Sequence, residues 1–405
     1  HRAGRIADCD LAEVGCGLAR SPGHCMTMGT ASTMTSIAEV LGVALPGSAS
    51  IPAVDSAHHR MAARVGATAV RLAEEGRRIT GFLTREAFED AAATVFALGG
   101  STNALIHLIA MAGRAGVEFT LDDFDAISRR VPVLANLRPS GEYLMEDFYY
   151  AGGLQALLRE LSAVPGALHP DRPTVGGGTI GSHWEQAAVH DPDVIRGAEQ
   201  PCSEEGGLAV LRGNLCPDGA VIKYIASQKP SLLKHTGPAV VFDSYAELRA
   251  GIDDPAHALT ADSVLVLRSA GPIGGPGMPE YGMLPIPKYL LEAGVTDLVR
   301  ISDARMSGTS YGTCVLHVAP ESHVGGPLAL VRTGDLVTLD VEARTLTLEV
   351  DDAELARRRE AWQPPAPRFE RGYGALYQSH ITQANHGCDF DFLARPGHNP
   401  QPDPH

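Results

Sequence analysis

No stretch of this sequence approaches the roughly 18 consecutive apolar residues that a membrane-spanning helix requires. Basic residues are also scarce: 33 Lys and Arg stand against 48 Asp and Glu, the formal net charge is −15, and no run of basic residues is longer than three. Proteins that bind nucleic acid usually present a concentrated positive surface. We therefore expect no membrane and no nucleic-acid partner. An anionic substrate would need a local cation in so acidic a protein, which favours a divalent metal.

Cysteine pairs of the CxxC type are absent. The cysteines are seven in number and widely spaced, and an odd, scattered set in a long chain argues against a disulfide framework. We therefore expect a reducing compartment, the cytoplasm. The seven residues are Cys9, Cys16, Cys25, Cys202, Cys216, Cys314 and Cys388.

Motifs for nucleotides are missing as well, because neither GxxxxGK[ST] nor GxGxxG between a strand and a helix occurs. No internal repeat or low-complexity segment is present. The chain starts at His1 with neither methionine nor a secretory leader, and we expect further residues upstream.

The sequence divides into a part with helical spacing of apolar residues and a part with short β-rich runs. Apolar residues at three- and four-residue spacings predict helices over residues 30–41, 51–75 and 85–98. The Gly- and Pro-rich residues 165–181 are typical of a linker. From about Gly207, short β-rich runs separated by Gly, Pro and Asp predict a compact barrel or sandwich.

A chain of 405 residues is too long for one ordinary core, so we expect two domains. The predicted divisions are residues 1–200, which include the linker, and residues 201–360. Residues 361–405 form a tail whose apolar and aromatic content suggests docking on the rest of the protein.

Cys25 lies in a Gly-containing turn directly before the first predicted helix. A thiolate at a helix N-terminus is stabilised by the helix dipole, which suits a nucleophile or a metal ligand. A structural cysteine in a turn would give the same local pattern. Residues 99–103, Gly-Gly-Ser-Thr-Asn, also begin a predicted helix and could cradle an anion or simply cap that helix.

Two loops after β-rich runs carry further candidates. Residues 271–280 form a Gly/Pro loop that ends in Glu280, a hard oxygen donor suited to a divalent cation. Ser307 follows the run DLVRIS among small residues, where active-site loops are often built. Ser307 lacks the GxSxG context of hydrolases and an evident histidine base. Each loop, taken alone, is also compatible with an ordinary surface turn.

Together these segments resemble one known family. In order, the blocks are SPGHCMTMGTASTM, LGGSTNALIHL, GNLCPDGAVIK, HTGPAVVFD, GPGMPEYGMLPIPK, ISDARMSGTSYGT and GALYQSHITQANHGCDFDF. They resemble the dihydroxy-acid and phosphogluconate dehydratases, and most closely the sugar-acid branch of arabinonate, xylonate and galactonate dehydratases. The resemblance implies an α/β fold: a helix-rich α/β N-terminal domain, of which part is present, and a C-terminal swivelling β-barrel-like domain. It also implies a homodimer or homotetramer with the active site between the domains.

The same resemblance implies two cofactors. An iron-sulfur cluster, [2Fe-2S] rather than [4Fe-4S], is held by three cysteines, of which Cys25 matches the third. A magnesium ion is held by two aspartates, a carbamylated lysine and a glutamate, and Glu280 matches the glutamate. The remaining ligands of both centres belong to family segments that this sequence does not contain.

The implied reaction is that of a hydro-lyase, which converts an aldonic acid into a 2-keto-3-deoxy acid. Ser307, as its alkoxide, matches the base that takes the C2 hydrogen, and Thr309 matches a position close to the substrate. Loss of the C3 hydroxide needs a Lewis acid, which a cluster iron can supply. Two alternatives remain open: the dihydroxy-acid dehydratase of branched-chain amino-acid synthesis, and an inactive fragment that lacks the full cluster site.

Overall fold

The computed structural model describes residues 1–18 and 21–393. Helices dominate the described residues before Ala209, where β structure is limited to isolated bridges. The predicted helices are confirmed to within a few residues at their ends, and a further exposed helix precedes them. The helices of this part are α1 (Asp8–Leu18), α2 (Thr30–Val40), α3 (Ser56–Glu74), α4 (Arg85–Ala97), α5 (Asn103–Ala115), α6 (Leu121–Ser128), α7 (Met145–Tyr150), α8 (Gly153–Leu161) and α9 (Ile180–Trp184).

Helix α4 is the centre of the helical part. Ten of its side chains are buried, and α2, α5, α6 and α8 pack around it. Phe96 of α4 meets Phe124 of α6 edge to face, with ring centroids 6.3 Å apart, a favourable geometry for aromatic rings. A helix that is apolar on nearly every side is stable only in such an interior.

The strand-rich part forms one mixed eight-stranded sheet in the order β1-β2-β6-β5-β4-β3-β7-β8. Strands β3, β4, β5 and β6 run parallel, and the outer pairs are antiparallel. The β-rich runs predicted from about Gly207 begin with the antiparallel pair β1 and β2. The strands are β1 (Ala209–Leu211), β2 (Gly219–Ile222), β3 (Lys234–Phe242), β4 (Val264–Leu267), β5 (Val299–Ser302), β6 (Cys314–Ala319), β7 (Leu336–Asp340) and β8 (Thr345–Leu348).

The sheet nearly closes into a barrel. Arg212, directly after β1, bridges to Thr345 of β8, and its backbone carbonyl accepts a hydrogen bond of 2.8 Å from the Leu346 amide. Alternate residues of the strands face an apolar interior that includes Val266, Ile301 and Val315. The barrel-like C-terminal architecture expected from the sequence is therefore confirmed.

Two short helices cover part of the outer face of the sheet. Phe242 and Leu265 pack there against Leu248 of α10 (Tyr245–Gly251) and Leu290 of α11 (Lys288–Glu292). Elsewhere on the outer face, Val210 of β1 and Val221 of β2 join the helical core. Two further helices, α12 (Asp352–Ala361) and α13 (Gly372–His380), follow the barrel.

The described residues of the tail contact the rest of the chain. Asp389 receives two hydrogen bonds of 2.6 Å from the Arg114 guanidinium of α5, and the Gln383 side chain contacts Glu321 beyond β6. Gln383 and Asp389 thus join the described part of the tail to both the helical and the strand-rich parts. Within the described residues, no helix has the length and apolarity that crossing a bilayer would require.

Candidate active site

The Cys25 loop leads into α2. The backbone of Gly29, the N-cap residue, is extended and provides no side-chain cap, so the first amides of α2 receive no capping side chain. Cys25 is exposed, and its Sγ lies 3.4 Å from Thr27 Oγ1. The predicted position of this thiol before a helix N-terminus matches the structure, although the helix begins five residues later, at Thr30.

Ser307 lies in the irregular segment that joins β5 to β6. Its hydroxyl is half-buried and 3.0 Å from Thr309 Oγ1, and no other side chain of the described residues forms a hydrogen bond with it. The preceding Met306 is 2% exposed and packs on Leu316 of β6. An apolar anchor under an otherwise polar loop fixes the backbone while it leaves the serine hydroxyl accessible.

The Ser307 loop rests directly on the start of α2. A Cβ atom added to Gly308 would lie 2.6 Å from the Thr30 amide nitrogen and 2.8 Å from the Gly29 Cα. These distances are too short for any side chain, so only glycine permits the two backbones to touch. The contact brings Ser307 and Thr309 next to the helix that follows Cys25.

Glu280 is connected to the same loop through Arg305. The Arg305 Nε donates a hydrogen bond of 2.6 Å to the Met278 carbonyl, and its Nη2 lies 3.8 Å from Glu280 Oε1. In return, the Arg305 carbonyl accepts a hydrogen bond of 2.8 Å from the Gly282 amide. Glu280 itself is 39% exposed. Arg305 was not predicted from the sequence, because a single arginine in a loop has common structural roles and carries no specific signal.

Two buried carboxylates hold the Gly/Pro loop that leads to Glu280. Glu321 accepts hydrogen bonds of 2.9 Å from the backbone amides of Ile273 and Gly274, and Asp303 accepts one of 3.0 Å from the Ala270 amide. Burial, with a smaller effect of the Asp303 charge, raises the pKa of Glu321 to about 7. The loop is therefore rigid because its backbone donors are used internally.

Two histidines lie behind Arg305. Burial and the nearby arginine charge lower the pKa of His107, and burial lowers the pKa of His317 to about 3. His317 is 2% exposed, and neither ring nitrogen has a hydrogen-bond partner among the described residues. Both rings therefore favour their neutral form, and Arg305 is the arginine whose charge acts on both of them.

The described residues do not form a complete metal site by themselves. Within 1–18 and 21–393, no group of three or more His, Cys, Asp or Glu side chains is arranged to hold a metal ion. Cys25 and Glu280 are each exposed enough to act as one ligand of a centre whose other ligands come from elsewhere. The roles assigned to Cys25, Glu280, Ser307 and Thr309 stay predictions.

Comparison with known proteins identifies the family. Residues 1–183 match the dihydroxy-acid/6-phosphogluconate dehydratase N-terminal family, and residues 193–388 match the corresponding C-terminal family. Dehydratases of this kind generally use an iron-sulfur cluster and Mg²⁺.

Three relatives illustrate the range of the family. The chain is 54% identical to a 6-deoxy-6-sulfo-D-gluconate dehydratase of Pseudomonas putida, over 100% of this chain and 70% of that protein. It is 47% identical to an L-arabinonate dehydratase of Rhizobium leguminosarum bv. trifolii, over 97% and 67%. It is 43% identical to a dihydroxy-acid dehydratase of Caldicellulosiruptor bescii, over 96% and 69%. The chain therefore belongs to the dihydroxy-acid/6-phosphogluconate dehydratase family of hydro-lyases.

Proposed function

We propose that this protein removes water from an aldonic sugar acid and produces a 2-keto-3-deoxy acid, with Ser307 as the base. The sugar-acid relatives, at 54% and 47% identity, are more similar to the chain than the dihydroxy-acid dehydratase at 43%. The observation that carries the proposal is the backbone contact of Gly308 with Gly29 and Thr30. It joins the loop of the proposed base to the loop of the proposed cluster ligand.

The residues of this chain divide the work as follows. Ser307, once deprotonated, takes the C2 hydrogen of the substrate as a general base. Thr309 Oγ1, 3.0 Å away, donates a hydrogen bond to the alkoxide or to a sugar hydroxyl. The N-terminus of α2 lies beside the loop, and its positive dipole end favours developing negative charge.

Cys25 and Glu280 are the proposed cofactor ligands of this chain. Cys25 would bind the iron-sulfur cluster, [2Fe-2S] in our proposal, and Glu280 would bind Mg²⁺. When bound, these centres supply the Lewis acidity that favours loss of the C3 hydroxide and the positive charge that favours a deprotonated Ser307. We further propose a cytoplasmic homodimer or homotetramer.

The test is a substrate panel of 6-deoxy-6-sulfo-D-gluconate, L-arabinonate and 2,3-dihydroxyisovalerate, with the 2-keto product measured as its semicarbazone. We expect turnover of at least one sugar acid, and Ser307→Ala should lower kcat by about 10³-fold because a general base is removed. Ser310→Ala is the matched control in the same loop and should keep wild-type kcat. Wild-type activity in Ser307→Ala would refute the assignment of the base.

The dihydroxy-acid dehydratase reaction is the second candidate, favoured by the 43% identical relative. Turnover of 2,3-dihydroxyisovalerate alone would establish it and overturn the sugar-acid proposal. Iron and acid-labile sulfide, measured in the wild type, Cys25→Ala and Cys202→Ala, test the cofactor. We expect only Cys25→Ala to lose bound iron and sulfide, whereas absence of both from the wild type, together with no turnover, would establish the inactive alternative.

A further inference from the structure

Asn103, the first residue of α5, lies between the two loops of the proposed site. Its side chain is 2% exposed. The side-chain nitrogen Nδ2 donates a hydrogen bond of 2.9 Å to the Met306 carbonyl and another of 3.0 Å to Thr30 Oγ1. Met306 directly precedes Ser307, and Thr30 is the first residue of the helix after Cys25. A single amide group therefore contacts both loops.

The orientation of this amide is determined by its partners. The Met306 carbonyl can only accept a hydrogen bond, so the nitrogen of Asn103, rather than its oxygen, must face it. The hydroxyl of Ser101 lies 2.9 Å from Thr30 Oγ1 and completes the hydrogen bonding of Thr30. The Asn103 Oδ1 consequently faces away from both loops, and it has no hydrogen-bond partner among the described residues.

Besides Asn103, the packed Met306 side chain and the hydrogen bond from Arg305 to the Met278 carbonyl restrain the Ser307 loop. Between Ser302 and Cys314 the chain forms neither helix nor strand. Gly308 touches Gly29 and Thr30 only by packing, which limits approach but does not prevent the loop from moving away. A buried hydrogen bond restricts motion in both directions, because breaking it leaves a carbonyl and an amide without partners in the interior.

We propose that Asn103 is a positioning residue for Ser307, holding the backbone before the serine against the start of α2. This inference rests on the proposed function, because it assumes that Ser307 is the base. Asn103 acts through the Met306 carbonyl and does not touch the substrate. Its contribution is to keep the Ser307 hydroxyl at a constant distance from the groups of the Cys25 loop.

The activity test compares Asn103→Ala with Asn214→Ala. Asn214 is a matched control because it also joins two segments, with Nδ2 2.9 Å from the Leu348 carbonyl and Oδ1 2.7 Å from the Leu348 amide, but it lies at the β1–β2 turn. We expect Asn103→Ala to lower kcat by about 10²-fold, since a base displaced by roughly 1 Å loses about that factor. KM should stay within about twofold. The kinetic isotope effect on a C2-deuterated substrate should increase, because proton removal becomes slower than other steps.

A second readout does not depend on catalysis. Hydrogen exchange of the backbone amides at residues 306–310 should accelerate by about tenfold in Asn103→Ala, as expected when a hydrogen bond of about 1.4 kcal/mol is lost. Asn214→Ala should leave that exchange unchanged, although both variants lose some stability. Thr30→Val removes only one of the two bonds, and it should have a smaller effect that is not additive with Asn103→Ala.

The outcomes separate the two claims. Unchanged exchange in Asn103→Ala would overturn the positioning role whatever the substrate is. A raised KM with wild-type kcat would also overturn it, because Asn103 would then bind the substrate directly through Oδ1. If exchange is faster in Asn103→Ala but the wild type turns over no acid of the panel, the positioning role of Asn103 is supported and the proposed function is refuted.

Discussion

Gly308→Ala should inactivate the protein without unfolding it. The added Cβ would lie 2.6 Å from the Thr30 amide nitrogen, whereas ordinary contact begins at 3.4 Å, so the two backbones must separate by 3.4 − 2.6 = 0.8 Å. The atom that it meets belongs to the backbone and cannot rotate away. Overpacking of this kind typically costs about 1–3 kcal/mol, which a folded protein of this size can absorb.

The catalytic effect should be larger than the effect on stability. A displacement of about 1 Å in a reacting group reduces turnover by about 10²-fold, so kcat with the preferred sugar acid should fall by that factor in Gly308→Ala. Urea unfolding followed by circular dichroism measures the accompanying change in the free energy of unfolding. Steady-state formation of the 2-keto product measures kcat.

Gly113→Ala is the control for replacing glycine by alanine. Nothing lies within 4 Å of a Cβ at Gly113, and the residue lies inside α5. Alanine favours the helix there by about 0.5–1 kcal/mol, so stability should be equal or higher and kcat unchanged. If Gly308→Ala retained the kcat of the wild type, the backbone contact between the two loops would not control the position of Ser307.

Three further perturbations test the structure more broadly. Burial lowers the pKa of Lys223 from 10.5 to about 7, so the unfolded chain binds more protons between these values. Urea titrations measure the difference in free energy of unfolding between the wild type and Lys223→Met. This difference should shift in favour of the wild type by about 1 kcal/mol per pH unit from about pH 8 to 10. A difference that does not change with pH would contradict the burial of Lys223. Asp389→Asn replaces the charged pair with Arg114 by a weaker neutral contact, and trypsin should then cleave the tail after Arg371 several times faster; unchanged cleavage would show that this pair does not hold the tail. Gly312→Ala places a Cβ against the buried Arg300 Nη2 at a φ of +100°, so it should lower the free energy of unfolding by about 3 kcal/mol. Wild-type stability would refute the geometry.

Local structure was largely predictable from the sequence. The helix predicted over residues 30–41 is Thr30–Val40, because apolar residues at three- and four-residue spacings favour a helix with one buried side. The helix predicted over residues 85–98 is Arg85–Ala97, and the Thr84 side chain caps it by accepting a hydrogen bond from the Ala87 amide. Helices and their ends depend on residues that are close together in the chain, so they can be predicted directly from the sequence.

Parts of the candidate site were predictable only as separate pieces. The resemblance in motif order led to Cys25, Glu280, Ser307 and Thr309, and the Gly/Pro composition of residues 271–280 indicated the loop that ends in Glu280. Arg305 and Asn103 were not assigned to the site. Arginine in a loop and asparagine at a helix start have common structural roles, so the residue types alone carried no specific signal.

Composition, secondary structure and the family followed from the sequence alone, because each depends on residue type and on neighbours along the chain. The tertiary structure decided how the pieces meet. Asn103 and Met306 are separated by 203 positions, and the close contact of Gly308 with Gly29 joins segments that lie even farther apart in the chain. Such contacts exist because the outer face of β1 and β2 shares a hydrophobic core with the helices, and a side-chain pattern within either loop contains no information about that packing.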